Sequence, residues 1–255
     1  MEKIDKKLVK KRFSRGLPTY ARTASIQPEM ARELLAGLLR ITGNNRYPRI
    51  LEIGAGSGIL TDLLEKQLVR DKLVLLDIVP ECAKYHLRRP DAEFVAGDAE
   101  TVELNGPYDL ILSNAAFQWF HDVHSFFPKL RKNLCPGGIL AFTTFGPENL
   151  RELRELTGNA LPYRTLGELT ALLRDPGGFE VLAVSEKIEV VPFKDPLSIL
   201  RHMKQTGVSA PVRKQPLWTR GRLTRFEREY RSRFSSADGT VHLTYHPITV
   251  IAKGK

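Results

Sequence analysis

Only two cysteines, Cys82 and Cys135, occur in the 255 residues. They have neither metal-ligand spacing nor the numbers for a disulfide framework, and a reducing, cytoplasmic setting is expected. No apolar run is long enough to span a bilayer, so no membrane span is expected. The N-terminus is charged and lacks the hydrophobic segment of a secretory signal. Residues 1–15 are rich in Lys and Arg, but Glu2 and Asp5 weigh against a mitochondrial presequence. Internal repeats and low-complexity tracts are missing. So are a metal-binding cluster, a cysteine nucleophile in a reactive setting and a Ser/His/Asp arrangement. These absences remove disulfide scaffolds, membrane spans, solenoids and several hydrolase chemistries, and leave an α/β protein with a sizeable core.

Acidic residues are also in short supply: 29 Asp and Glu stand against 39 Lys and Arg, a net charge of +10. The imbalance is local. Residues 1–15 carry +5 and residues 201–235 carry +8, whereas residues 16–200 carry −4. Two basic segments thus flank a mildly acidic centre. They suit an anionic partner, whether nucleic acid, membrane or acidic protein, or else a solvated helix face.

The chain does have a glycine-rich turn. Ile50, Leu51 and Ile53 read as a buried strand containing one charge, Glu52. Gly54, Ala55, Gly56, Ser57 and Gly58 follow, then a helix from Ile59 to Glu65. Glycine permits positive φ and close approach of a ligand to the main chain. The helix start supplies free N–H groups and a partial positive charge. The spacing is G-x-G-x-G, not the G-x-G-x-x-G of dinucleotide sites. A second apolar strand, Lys72 to Asp77, ends in an acid 19 residues after Gly58. A third runs from Glu93 with Asp98 just past its end, and a fourth, Tyr108 to Asn114, leads into Ala115, Ala116, Phe117, Gln118, Trp119 and Phe120. Each polar group stands where a strand yields to a loop on one edge of the sheet, which is where open α/β sheets bind ligands. Singly, Asp77 or Asp98 is equally a cap or turn former.

Around this centre the pattern predicts a basic, partly helical arm over 3–15 and an amphipathic helix over 26–40. It then predicts a helix from Val123 to Asn133, a fifth strand from Ile139 to Phe145, and helices over 150–156 and 166–174. Two long β segments, Phe179–Val191 and Thr240–Ala252, are expected to close the sheet. Between them, helices over 196–206 and 222–234 form an insertion. The expected architecture is a Rossmann-like α/β domain: a mostly parallel seven-stranded sheet, helices on both faces and a helical cap. One domain spans 1–255, with an N-terminal helical arm (1–45), a core (46–195 and 236–255) and a helical insertion (196–235).

The Glu52 to Gly58 turn resembles the first motif of class I S-adenosyl-L-methionine-dependent methyltransferases. A narrower resemblance follows. Phe13-Ser14-Arg15, Tyr20, Ala24 and Gln27 are similar to the N-terminus of the malonyl-[acyl-carrier protein] O-methyltransferases of biotin synthesis. The segments 51–58, 97–100, 113–119, 134–138 and 142–146 are similar to that family's core motifs. Leu200 to Val208, through Thr206-Gly207, resembles its cap helix. Ser209-Ala210-Pro211 departs from the family pattern, in which Asn-Ala or similar follows the Thr-Gly.

The resemblance implies methylation of the free carboxyl of a malonyl thioester, with S-adenosyl-L-homocysteine as product and no metal. It implies cofactor contacts from Glu52, Gly54, Ala55, Gly56, Gly58, Asp77, Ile78, Asp98, Ala99, Asn114 and Gln27. Tyr20 is the expected positioning residue at the reaction centre, its ring facing the sulfonium, or else an anchor of the N-terminal helix. Gln118, Trp119 and Phe120 are expected to wall the substrate chamber, and Arg201 or Lys204 to meet the malonyl carboxylate. The expected partner is an acidic acyl-carrier protein, with the enzyme a monomer. No RNA-binding module is visible, and Ser113-Asn114-Ala115-Ala116 stands where base-amino methylases carry a Pro-Pro-Tyr loop, so nucleic acid is not the expected substrate. A small-molecule dicarboxylate or quinone methylase is the nearer rival.

Overall fold

The computed structural model describes residues 4–158, 161–207 and 218–255. Its strands are β1 (Arg49–Ile53), β2 (Lys72–Asp77), β3 (Ala92–Ala96), β4 (Tyr108–Asn114), β5 (Leu134–Phe145), β6 (Phe179–Glu186), β7 (Glu189–Phe193), β8 (Val241–Tyr245) and β9 (Pro247–Gly254). Seven form one sheet in the order β3-β2-β1-β4-β5-β9-β6. The pairs from β3 across to β5 are parallel, and β9 runs antiparallel to both of its neighbours. The order in which the strands are laid down reverses between β1 and β4, so a crevice opens at the carboxyl ends of these parallel strands.

The helices are α1 (Lys6–Thr23), α2 (Gln27–Thr42), α3 (Ile59–Gln67), α4 (Val123–Lys132), α5 (Arg151–Thr157), α6 (Leu166–Arg174), α7 (Pro196–Gln205) and α8 (Arg220–Phe234). Met30, Ala31, Leu34, Leu35 and Leu38 recur at helical spacing and make α2 amphipathic. Ala31, Leu34, Leu35 and Leu38 of that stripe share one buried cluster with Ile50, Leu73, Leu75 and Leu110 of the sheet. Removing each of these leucines from water contributes roughly 1.5–3 kcal/mol. The opposite sheet face is filled by Ile111, Phe127, Leu130 and Phe142. A third cluster, with Ile199, Met203, Phe226, Tyr230 and Leu243, joins the inserted helices to β8.

Two expectations change. The β segments over 179–191 and 240–252 do not both run whole into the main sheet. Each breaks, and β7 pairs with β8 in a separate two-stranded sheet. Pro247, which lacks an N–H, marks one break, and Lys187 marks the other by pairing with Glu29 at 3.1 Å, Glu33 at 2.7 Å and Glu189. The N-terminal arm is one helix of 18 residues that continues through Pro18. Tertiary contact outweighs the local breaker: Thr19 Oγ1 donates to the carbonyl of Gln205, and a Cβ at Gly16 would sit 3.0 Å from that same oxygen. The departure from the family pattern at 209–211 lies outside the described residues.

Candidate active site

A cavity opens at the carboxyl ends of β1, β2 and β4. β1 delivers Glu52 and then the glycine turn, where Gly54, Gly56 and Gly58 all have positive φ, at 78°, 50° and 91°. Gly54 packs so closely on the loop after β4 that a Cβ there would lie 2.6 Å from the Ala116 side chain. A Cβ on Gly56 would meet nothing closer than 3.9 Å, because it would project into the cavity. Gly58 does not line the cavity; it caps α3 in the left-handed region and turns the chain.

Asp77 ends β2 and braces this turn. One carboxylate oxygen accepts the Gly56 N–H and the other the Val79 N–H, both at 2.8 Å. The Cys82 thiol donates to the same carboxylate, which lines the cavity. Burial raises the Asp77 pKa, and the two main-chain bonds oppose that rise. Glu52, 1 % exposed, accepts a hydrogen bond from Thr61 Oγ1 at 2.8 Å. Desolvation pushes its carboxyl up to about 8, with Thr61 and Arg89 pulling the other way. The folded state therefore holds this proton above the pH at which the unfolded chain releases it. The Glu52 contribution to stability should be fully present below about 4.5 and should be lost as pH rises through about 8. Glu52→Gln keeps an acceptor for Thr61 and removes the titration. Its thermal midpoint without ligand should be flatter across that window and should exceed wild type near pH 8. Parallel pH profiles for the two proteins would show that Glu52 is not the titrating group.

Asp98, past the end of β3, lies in the same cavity with Ile78 and Ala99. Its two oxygens accept from Lys6 Nζ at 2.7 and 2.6 Å. Lys6 also pairs with Glu100 and lies 5.3 Å from the Phe120 ring centre. Asn114, at the end of β4, accepts from Thr143 Oγ1 at 2.7 Å and donates to the Gln27 carbonyl at 3.0 Å. This ties the start of α2 to the sheet and places Gln27 on the cavity wall with Ala55.

The roof comes from α1. Lys6, Val9, Phe13, Leu17 and Tyr20 all face the cavity. Phe13 meets Trp119 edge-on at 5.3 Å and Tyr20 at 6.3 Å. Burial, and next the charge of Asp77, raise the Tyr20 pKa, so the phenol stays protonated and remains a donor. Trp119 and Phe120 complete the wall.

Three expected substrate contacts lie elsewhere. Gln118 is turned to its own loop, donating to the Ala115 carbonyl at 2.6 Å and accepting from Thr144. Arg201 and Lys204 are exposed on α7, whose buried side is Pro196, Ile199 and Met203. Arg201 leans on Asp195 at 3.7 Å. Lys6, Val9, Leu17 and Ser57 are cavity residues not singled out from sequence. The α1 residues had a visible signal, since positions 6, 9, 13, 17 and 20 form one stripe at helical period.

The turn fits an adenosyl-amino-acid ligand on two structural observations. The empty space at Gly56 lets a ligand reach the main chain, and buried Ser57 Oγ lacks a hydrogen-bond partner. The methyltransferase domain family matches residues 26–184. A 1,6-didemethyltoxoflavin-N1-methyltransferase of Burkholderia thailandensis, solved with S-adenosylhomocysteine, shares the fold: TM-score 0.54, 17% identity, 95% of this chain and 87% of that one covered. Sheet order, turn and cavity thus define a class I methyltransferase. Malonyl-[acyl-carrier protein] O-methyltransferases match far more closely in sequence. That of Porphyromonas gingivalis is 40% identical, covering 99% of this chain and 98% of its own. That of Bacteroides thetaiotaomicron is 37% identical, with 99% of each covered. The chain belongs to the malonyl-[acyl-carrier protein] O-methyltransferase family.

Proposed function

We propose that this enzyme methylates the free carboxyl of a malonyl thioester borne by an acyl-carrier protein, using S-adenosylmethionine, at an early stage of biotin synthesis. The observation that carries the proposal is the full-length similarity to enzymes of that name, joined to a cavity walled by both the glycine turn and α1. The cofactor supplies a methyl group on a positively charged sulfur. Glu52, Asp77, Asp98 and Gln27 are positioned to hold its polar parts, and Gly54, Ala55 and Gly56 to admit it against the main chain. Ile78 and Ala99 offer an apolar slot for its base.

The acceptor needs little activation. A carboxylate of pKa about 4 is already ionised at neutral pH, so no general base is required to expose its oxygen. The chain's contribution is alignment and exclusion of water. Phe13, Trp119 and Phe120 supply apolar walls, and Tyr20 a donor and a π face beside them. The helical arm and the 196–235 insertion act as roof and cap on one methyltransferase domain. The partner is an acidic carrier protein attracted by the exposed lysines of α1 and arginines of α8.

A methyl-transfer assay offering malonyl-carrier protein, malonyl-CoA, free dicarboxylic acids and RNA tests this directly. Ester formation is expected with the malonyl thioesters and none with RNA. Preferential turnover of a free dicarboxylate would reassign the substrate.

A further inference from the structure

A malonyl thioester on a carrier protein presents two oxyanions, its own carboxylate and the phosphodiester of the pantetheine arm. Neither has a receptor so far. Lys6 is spent on Asp98 and Glu100, and Arg201 and Lys204 face solvent.

Arg12 stands apart from the other cations of α1 and α7. It is half-buried, its Nη1 is shielded from water, and that atom has no hydrogen-bond partner. Two other buried side-chain atoms among the described residues share that condition. One is Ser57 Oγ in the glycine turn. The other is Arg49 Nε, whose guanidinium nonetheless donates to the Asn105 carbonyl at 2.7 Å. The Arg12 guanidinium has no acceptor among the described residues, and its Nη1 is also shut off from water. A shielded guanidinium nitrogen without an acceptor is costly unless a ligand supplies one. Burial lowers its pKa with no carboxylate opposing.

Its place is also informative. Arg12 adjoins Phe13, which lines the cavity, but is not itself a lining residue. Its main chain lies where α1 meets the end of α7: a Cβ on Gly207 would sit 3.2 Å from the Arg12 carbonyl oxygen and 3.2 Å from Phe13 Cα. The seam is therefore closely packed and beside the roof. We infer that Arg12 is the receptor for an oxyanion of the malonyl thioester at the seam of α1 and α7, forming a charge-assisted, fork-like pair with it. This rests on the malonyl-thioester reading above.

The test compares wild type, Arg12→Gln and Arg12→Lys on malonyl-carrier protein, malonyl-phosphopantetheine and malonyl-pantetheine, with S-adenosylmethionine affinity measured by calorimetry. Arg12→Gln should lower kcat/KM on the carrier-bound acceptor by roughly 10- to 100-fold, with cofactor affinity kept and Arg12→Lys intermediate. Loss on both small acceptors assigns the malonyl carboxylate. Loss on the phosphorylated acceptor alone assigns the phosphodiester. Unchanged kcat/KM on malonyl-carrier protein overturns the inference, as does a loss accompanied by weakened cofactor binding and a lower thermal midpoint, which would make Arg12 a support of α1. Inactive wild type on malonyl-carrier protein would instead refute the substrate reading itself.

Discussion

A Gly56→Val protein should fold yet bind S-adenosylmethionine at least 100-fold more weakly, a loss of roughly 2.7 kcal/mol or more. The argument is geometric. A Cβ at residue 56 meets no protein atom nearer than 3.9 Å, so valine can be built without a clash, and its methyls occupy the space a ligand needs. The Gly56 N–H to Asp77 is retained by any residue but proline. The cost to the fold is conformational: φ of 50° is unfavourable for a β-branched residue, by about 1–3 kcal/mol. In a chain of this size that lowers the thermal midpoint by roughly 3–10 °C. Gly54→Ala is the contrasting variant. Its Cβ would press to 2.6 Å from Ala116 and force the two loops apart, so stability and binding should fall together. Calorimetric titration and thermal denaturation of both proteins separate the cases. Normal cofactor affinity in Gly56→Val would remove the turn from the binding site.

The parts of this site legible in sequence are those whose signals are local. A buried strand, three glycines and a helix lie within 17 residues, and their backbone demands are met by residue types that few other structures need. Asp77 and Asp98 could be read because strand ends on one sheet edge converge whatever the intervening chain does. Partnership is not local. Lys6 lies 92 residues from Asp98, and nothing in the spacing couples them. Side-chain direction on short cap helices was equally hidden. The charges of Arg201 and Lys204 suggested an anion site, but the apolar positions Ile199 and Met203 decide which side of α7 is buried. The broken β segments show the same limit from another direction. Phe179–Val191 is strand-like almost throughout; that it changes sheets depends on distant partners, β9 for its first half and β8 for its second, with Lys187 at the break reaching Glu29 and Glu33 on α2. Pro18 misleads in the opposite sense, because a local helix-breaking signal loses to packing against α7.

Reversing Lys7, Lys10 and Lys11 to glutamate should lower kcat/KM for malonyl-carrier protein by roughly 10- to 100-fold at low salt. All three are exposed, on the helix whose other face roofs the cavity. An acidic carrier arriving at that helix would bring its acyl arm to the rim of the chamber. Rim charges act on encounter, so wild-type kcat/KM should itself fall as ionic strength rises, and the reversed protein should show a flattened or inverted dependence. Arg225 and Arg228 are the competing surface, exposed on α8. That helix packs by Phe226 and Tyr230 over β8, and the Tyr230 hydroxyl donates to the His242 carbonyl at 2.7 Å. None of its residues lines the cavity, so Arg225→Glu with Arg228→Glu should cost less than the α1 reversal. A carrier-free malonyl thioester keeps the chemistry and discards the protein–protein encounter; its turnover should change by no more than about two-fold in either variant. Equal losses on both thioesters would mean that the α1 lysines support the roof, not the approach. If the α8 pair proved the more damaging, the carrier would dock over the inserted helices and reach the cavity from that side. Loss on neither thioester would leave both basic segments as solvated faces, with the carrier recognised through contacts that the charge distribution does not reveal.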